Sequence, residues 1–141
     1  TLIMATKATI ESKKFLNLYN KYNNNKTFLL ACSGLADFIE KGDKEEIRKY
    51  LKINLSKYAT KVQNVVLGCT HYPLIQDEIK EVLGDVEFFN GAESLAKHLK
   101  SILEEKHLIN TSEIKGNIEF IDSSELESKK ERFFHIMEKT C

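Results

Sequence analysis

The chain has 141 residues, of which 42% are hydrophobic and 30% are charged. These proportions are typical of a globular protein with a buried core, and they exclude an intrinsically disordered chain. Its 21 basic residues balance its 21 acidic residues, so a formal net charge of zero argues against a nucleic-acid-binding surface. No apolar run approaches the ~18 residues that a membrane helix needs, so no membrane partner is expected.

The cysteines and the N-terminal segment predict a compartment. Cys32, Cys69 and Cys141 match neither a metal-binding spacing nor an even disulfide framework, so no metal site is expected. The segment TLIMATKATI lacks the basic region and cleavage site of a signal peptide. Both observations favour a reducing, cytoplasmic environment.

Strands and helices alternate along the sequence. Aliphatic and β-branched runs predict strands, and apolar residues at helical spacing predict helices, with Asp43 as the N-cap of one of them. Predicted strands span residues 2–5, 27–32, 62–68, 86–89 and 118–121, and predicted helices span residues 10–22, 34–40, 43–58, 74–83, 91–106 and 126–137. This order predicts the α/β class, with a mostly parallel sheet flanked by helices.

One strand-to-helix junction carries an unusual set of side chains. The strand 62–68 ends at Gly68, and Cys69, Thr70 and His71 follow directly, before Pro73. In open α/β sheets, ligands bind beyond the carboxyl ends of the strands. Pro73 suits the first helical position, so the amides of residues 70–74 are expected to be unpaired, and a thiol there would be favoured as thiolate.

Cys69 has two interpretations. Most free cysteines are small buried hydrophobic residues, and a lone cysteine in a strand would be read in that way. The glycine before Cys69 and the Thr-His pair after it favour a functional thiol.

Three segments resemble the motifs of one enzyme family. Residues 68–74, GCTHYPL, resemble the second cysteine motif of the glutamate racemases, in the cofactor-independent aspartate/glutamate racemase family. Residues 6–12, TKATIES, are similar to the family's T-K-x-T-I-x-S segment. Ala31-Cys32, followed by residues 38–40, is similar to its A-C-P…F-V-P-L-V-E stretch. The similarity follows the family's order over essentially the whole chain.

Two motifs of the family do not occur in this sequence. These are a D-S-G-x-G-G segment and an A-C-N-T motif, which carries the family's other cysteine. Cys32 occupies the A-C-P position instead, where the resemblance gives it no catalytic role. The sequence therefore resembles the C-terminal part of a glutamate racemase, and its opening directly in a strand agrees with a piece of something longer.

The resemblance implies a two-thiol mechanism. Inversion of an α-carbon without a cofactor needs one group to remove a proton and another to supply one from the opposite face. Cys69 is similar to one of these thiols, and His71 and Glu40 are similar to the residues that assist it. The implied substrate-binding residues are Thr70, His71, Thr6 and Thr9.

The family fold also implies a division of the chain. It has two α/β domains with the active site between them. Residues 1–90 would form the domain that carries Cys69, and residues 91–141 would complete the other, N-terminal domain. The apolar faces of residues 91–141 would then be poorly buried in isolation, so pairing with another copy in a homo-oligomer is an expectation.

The implied function is the interconversion of L- and D-glutamate for peptidoglycan synthesis, with glutamate as the small-molecule partner and no cofactor. Two alternatives stay open. One is a related racemase, isomerase or decarboxylase that acts on another small carboxylate. The other is a non-catalytic carboxylate-binding domain, which would not require an activated Cys69 thiol.

Overall fold

The computed structural model describes residues 1–23, 25–112, 114, 116–124 and 126–140. The strands are β1 (Leu2–Ala5), β2 (Phe28–Ala31), β3 (Asn64–Gly68) and β4 (Glu87–Phe89). The helices are α1 (Lys7–Ile10), α2 (Lys13–Tyr22), α3 (Leu35–Lys41), α4 (Lys44–Leu55), α5 (Gln76–Leu83), α6 (Ala92–Glu105) and α7 (Glu127–Thr140). A short 3₁₀ turn at Ser56–Tyr58 follows α4, and a second one at Tyr72–Ile75 precedes α5.

The four strands form one parallel sheet in the order β2-β1-β3-β4. This confirms the predicted α/β class with a parallel sheet flanked by helices. The register pairs Ala5 at the end of β1 with Ala31 of β2 and with Gly68 of β3. Three neighbouring strands therefore end at the same level, and the residues that follow them share one edge of the sheet.

The core lies between the sheet and the helices α3, α4 and α5. Alternate strand residues are fully buried, as the two-residue period of a strand requires, and include Leu2, Met4 and Val65. The helices contribute apolar side chains at helical spacing to the same cluster: Leu35, Ile39, Ile47, Leu51, Leu55, Ile79 and Leu83. Asp43 caps α4 as predicted, since its carboxylate accepts the amide of Glu46 at 3.1 Å.

Two predicted helices begin at different places in the structure. The helix predicted over 10–22 is divided, because α1 ends at Ile10 with Glu11 as its C-cap, and Ser12 then caps α2 by accepting the amide of Phe15. The helix predicted from residue 74 begins as a 3₁₀ turn, and regular α-helix starts only at Gln76. Proline near the start of this turn is consistent with the prediction for Pro73.

The chain divides into two compact units, residues 1–102 and residues 103–141. In the second unit, the strand predicted over 118–121 was wrong, since these residues have no regular secondary structure. Instead of pairing in a sheet, Phe120 packs on Phe133 of α7, with ring centroids 5.1 Å apart. Asp122 pairs with Lys129 at 3.3 Å. The assignment of residues 1–90 and 91–141 to different domains of a larger protein stays a prediction.

Helix α6 has the amphipathic pattern that its sequence predicts, but part of its apolar face is exposed, although Ile102 and Leu103 are half-buried. Leu95 and Leu99 are 69% and 57% exposed. Among the described residues, no helix is long and apolar enough to cross a membrane. The terminal Cys141 lies outside the described residues.

Candidate active site

The predicted site lies at the carboxyl edge of the sheet. Thr6 follows β1, Cys32 follows β2 and Cys69 follows β3, directly after the strand residues that pair with one another. The amide of Cys32 donates to the carbonyl of Ala5 at 2.8 Å, which continues the ladder one residue beyond β2. Residues that are far apart in sequence are thus brought together by the parallel register.

Gly68 lies at a closely packed point of this edge. A Cβ atom at this position would lie 3.0 Å from the Cβ of Ala5 and 3.0 Å from the carbonyl oxygen of Met4. Neither contact is one that a real Cβ atom makes without displacement of its neighbours. The glycine therefore lets β1 and β3 approach directly below Cys69.

Cys69, His71 and Glu40 form a continuous chain of polar side chains. The Sγ of Cys69 lies 3.5 Å from Nδ1 of His71, and Nε2 of His71 lies 2.5 Å from Oε1 of Glu40. The side chains of His71 and Glu40 are 30% and 57% exposed, and Cys69 is half-buried. The structure thus brings the three predicted catalytic residues into one hydrogen-bonded cluster.

The carboxylate of Glu40 sets which imidazole nitrogen carries the proton. An ionised carboxylate only accepts hydrogen bonds, so Nε2 of His71 is the protonated nitrogen in this contact. In the neutral imidazole, Nδ1 is then an acceptor and faces the thiol of Cys69. This arrangement allows His71 to take the proton of Cys69 or to return it.

The turn that follows Cys69 differs in part from its prediction. The amides of Tyr72 and Leu74 were expected to be unpaired, but they donate to the carbonyls of Cys69 and His71 at 3.2 and 3.1 Å. A 3₁₀ turn closes on itself in this way, since its hydrogen bonds span three residues. The amides of Thr70 and His71 donate no hydrogen bond to another described residue. Only these two agree with the prediction.

The predicted substrate-binding threonines lie at the same edge. Thr6 accepts the amide of Thr9 at 3.2 Å and thereby caps α1, and their two hydroxyl groups are 2.9 Å apart. Both threonines are half-buried, whereas Thr70 is exposed beside Cys69. Thr6 therefore satisfies a local backbone group, whatever else its hydroxyl group does.

A buried polar cluster beneath the site was not predicted. The hydroxyl of Tyr72 donates to the carbonyl of Cys32 at 3.4 Å, and Tyr72 is fully buried. Burial raises the pKa of the Cys32 thiol from 9.0 to about 12 and that of Tyr50 from 10.0 to about 12. Burial raises the pKa of Tyr72 as well. Cys32 therefore stays a neutral thiol at neutral pH, and its lack of a catalytic role stays a prediction.

Tyr72 is the residue that links this cluster to the site, because it belongs to the same turn as Cys69 and His71. The signal in the sequence was a tyrosine inside the GCTHYPL segment at a position with no assigned role.

Among the described residues, no group of three histidine, cysteine or acidic side chains is arranged to hold a metal ion.

Comparisons with known proteins point to one family of enzymes, although no protein-family model matches the chain. A glutamate racemase of Clostridium perfringens (strain ATCC 13124) is 39% identical over 134 residues, which are 92% of this chain and 51% of that protein. A glutamate racemase of Clostridium botulinum (strain Alaska E43) is 40% identical over 128 residues, or 87% of this chain and 50% of that protein.

Solved structures agree with these relatives. The glutamate racemase of Francisella tularensis in complex with D-glutamate superposes with a TM-score of 0.66 at 33% identity, over 79% of this chain and 44% of that one. The enzyme of Thermus thermophilus in complex with β-chloro-D-alanine has a TM-score of 0.64 at 26% identity, over 79% of this chain and 42% of that one. The chain is similar to the glutamate racemases in sequence and in structure, and it spans about half the length of the curated relatives it matches.

Proposed function

We propose that this chain supplies one of the two acid/base faces of a cytoplasmic glutamate racemase, which interconverts L- and D-glutamate without a cofactor for peptidoglycan synthesis. The observation that carries the proposal is the chain of contacts from Cys69 through His71 to Glu40. The relatives named above are glutamate racemases, and one of them is solved with D-glutamate bound.

The proposed step at this face is a proton transfer. As a thiolate, Cys69 takes the α-proton of one enantiomer, and the electron pair of the broken C–H bond stays on the α-carbon. A second acid on the opposite face of that carbon then delivers a proton and inverts it. In the reverse direction, the Cys69 thiol is the acid.

His71 and Glu40 make Cys69 available in both protonation states. His71 receives the thiol proton at Nδ1, and the positive charge that this places on the ring is stabilised by the Glu40 carboxylate at Nε2. Three threonines lie at the same edge of the sheet: Thr6, Thr9 and Thr70. Their hydroxyl groups are proposed to bind the polar groups of the amino acid. The free amides of Thr70 and His71 suit a carboxylate.

The alternative of a simple carboxylate-binding domain leaves the Cys69–His71 contact without a use. Binding alone requires donors for the carboxylate, which the backbone amides and the threonines are proposed to supply. An enzyme that acts on another small carboxylate would be distinguished from a glutamate racemase by the contacts on the opposite face of the substrate. No observation on this chain favours that alternative.

The test compares cysteine variants of the full-length gene product. Cys69→Ser keeps the shape but replaces the thiol with a far weaker acid, so racemisation is expected to fall by several orders of magnitude in both directions. His71→Asn is expected to slow it by about 10²–10⁴, the usual contribution of general acid–base assistance. Circular dichroism of each glutamate enantiomer gives the rates, and melting temperatures show whether each variant is folded.

The matched control is Cys32→Ser in the same protein. Cys32 is 2% exposed and has no place in the proposed proton transfer, so this change is expected to lower stability while kcat stays within about tenfold. An active Cys69→Ser enzyme, or a folded but inactive Cys32→Ser enzyme, would contradict the assignment.

A further inference from the structure

We propose that Cys69 is also an acyl-accepting nucleophile, which gives this site a hydrolase activity toward small activated esters. The proposal rests on the same assignment of Cys69 and His71 as the proposed function. It differs in the reaction, because an acyl group and not a proton is transferred to sulfur. It also needs no second proton carrier on the opposite face of the substrate.

The geometry is that of a nucleophile, a base and an orienting group in sequence. Sγ of Cys69 lies 3.5 Å from Nδ1 of His71, and the other ring nitrogen of His71 is held at 2.5 Å by Glu40. Such a set is recognised by its contacts and not by its fold or its order in the chain. Inversion of an α-carbon needs a proton carrier on each face, whereas acyl transfer needs only this one set.

Donors for a developing oxyanion directly follow the nucleophile. The amides of Thr70 and His71 have no acceptor among the described residues, while the next amides of the turn are paired. Backbone N–H groups that are fixed beside a nucleophile stabilise the negative oxygen of a tetrahedral intermediate. The 3₁₀ turn over residues 72–75 and the buried Tyr72 fix this stretch of backbone.

Exposure and chemistry distinguish Cys69 from the other described cysteine. Cys69 is half-buried and contacts an imidazole, so a substrate carbonyl can reach a thiol that has a base. Cys32 is 2% exposed, and its thiol donates to the carbonyl of Leu30 at 3.6 Å. Cys69 also packs against the hydrophobic core, while its sulfur faces the imidazole of His71.

The reaction balances without a further reagent except water. His71 takes the proton of Cys69, and the sulfur attacks the ester carbonyl to form a C–S bond and an alkoxide at the carbonyl oxygen. The intermediate collapses, the C–O bond to the alcohol breaks, and His71 returns its proton to the leaving oxygen. Water then loses a proton to His71 and attacks the thioester. The C–S bond breaks to release the acid, and His71 returns its proton to the sulfur of Cys69.

The experiment uses the 141-residue chain with 4-nitrophenyl acetate as the probe. Release of 4-nitrophenol is expected to continue through many turnovers, and mass spectrometry of quenched samples is expected to find a transient acetyl group on Cys69. Cys69→Ala is expected to remove the catalysed release, and Cys69→Ser is a second variant that preserves the shape. Far-UV circular dichroism of each variant checks that it is folded.

The paired variants His71→Asn and His98→Asn distinguish catalysis by His71 in the site from unspecific ester hydrolysis by an exposed imidazole. His98 is exposed on α6, outside the site. His71→Asn is expected to slow release by about 10²–10⁴, and His98→Asn is expected to leave it unchanged. A rate at Cys69 no faster than that of N-acetylcysteine would overturn the proposal. So would acetyl-Cys69 that accumulates without turnover, or equal rates for the two histidine variants.

Failure of this activity is distinguishable from failure of the proposed function. Ester hydrolysis is measured on this chain, and racemisation is measured on the full-length gene product with glutamate. A racemase whose Cys69 does not turn over the ester would refute only the present inference.

Discussion

Nε2 of His71 lies 2.5 Å from Oε1 of Glu40, although the two residues are 31 positions apart in the sequence. Glu40 is near the end of α3, and His71 belongs to the turn after β3. The contact exists because α3 packs beside that turn. It fixes the imidazole whose other nitrogen faces Cys69.

Removing this carboxylate is expected to lower the reactivity of Cys69 without unfolding the chain. In Glu40→Gln, the imidazolium of His71 loses its counter-charge, so alkylation of Cys69 by iodoacetamide is expected to slow by about 2- to 5-fold. A change of this size is what the small free energy of an exposed ion pair produces, and the side chain of Glu40 is 57% exposed. The control is Glu46→Gln, which removes an exposed partner of Lys49. Equal alkylation rates in the two variants, mapped by mass spectrometry, would contradict the role of Glu40.

The 141-residue chain alone is expected not to invert either enantiomer of glutamate. Inversion needs proton carriers on both faces of the α-carbon, and the described site provides one accessible thiol, Cys69. Cys32 is buried and its pKa is raised to about 12, so it does not serve as the second. Circular dichroism of the chain with L-glutamate checks this expectation. Sustained racemisation by this chain would refute it.

Stability is expected to fall at alkaline pH because of the buried cluster under the site. Burial raises the pKa of Cys32 from 9.0 to about 12, so the unfolded chain releases this proton first. The contribution of the protonated thiol is complete below pH 9.0 and is lost as the pH rises toward about 12. Tyr50 acts in the same direction between 10.0 and about 12.

The measurement is the urea midpoint between about pH 8 and about pH 11, where deprotonation of the unfolded chain lowers stability. Cys32→Ala and Tyr50→Phe are each expected to show a smaller fall than the parent chain. Tyr22→Phe, at a position 69% exposed, is the control and is expected to follow the parent. A fall of equal size in all four proteins would show that the buried cluster is not its source.

Gly68→Ala is expected to disturb the strand pair below Cys69. The new Cβ meets Ala5 and the carbonyl of Met4 at 3.0 Å, so unfolding free energy is expected to fall by about 1–3 kcal/mol, as for overpacking in a core. Gly91→Ala is the matched change, because nothing lies within 4 Å of the added atom. It is expected to change stability by less than about 1 kcal/mol. Urea denaturation of both variants provides the comparison, and equal effects would refute the packing argument.

Tyr72 is expected to contribute to stability mainly through its ring. Tyr72→Ala removes a fully buried aromatic side chain and is expected to cost about 3–5 kcal/mol. Tyr72→Phe loses only the hydrogen bond to the Cys32 carbonyl, for about 0.5–1.5 kcal/mol. Tyr22→Ala, at an exposed position, is expected to cost less than about 0.5 kcal/mol. If Tyr72→Phe costs as much as Tyr72→Ala, the hydroxyl group and not the ring is the main contribution.

The order of strands and helices was determined by the sequence, because hydrophobic period and turn residues are local signals. The four strands of the sheet lie within their predicted ranges, and Asp43 caps α4 as predicted. The expectations that failed depended on neighbours. The residues 118–121 have the composition of a strand, but a strand forms only with a partner, and Phe120 packs on α7.

The same distinction applies to the site: residues that are adjacent in sequence could be predicted from it, whereas contacts between distant residues could not. Cys69, Thr70 and His71 are adjacent in sequence, so their common location follows from the chain itself. Glu40 was named only through a resemblance, since nothing local to α3 indicates that its carboxylate meets an imidazole. Parallel register, which ends β1, β2 and β3 at one level, brings Thr6, Cys32 and Cys69 to one edge. Burial, which depends on every packed neighbour, decides that Cys32 stays protonated while Cys69 faces a base.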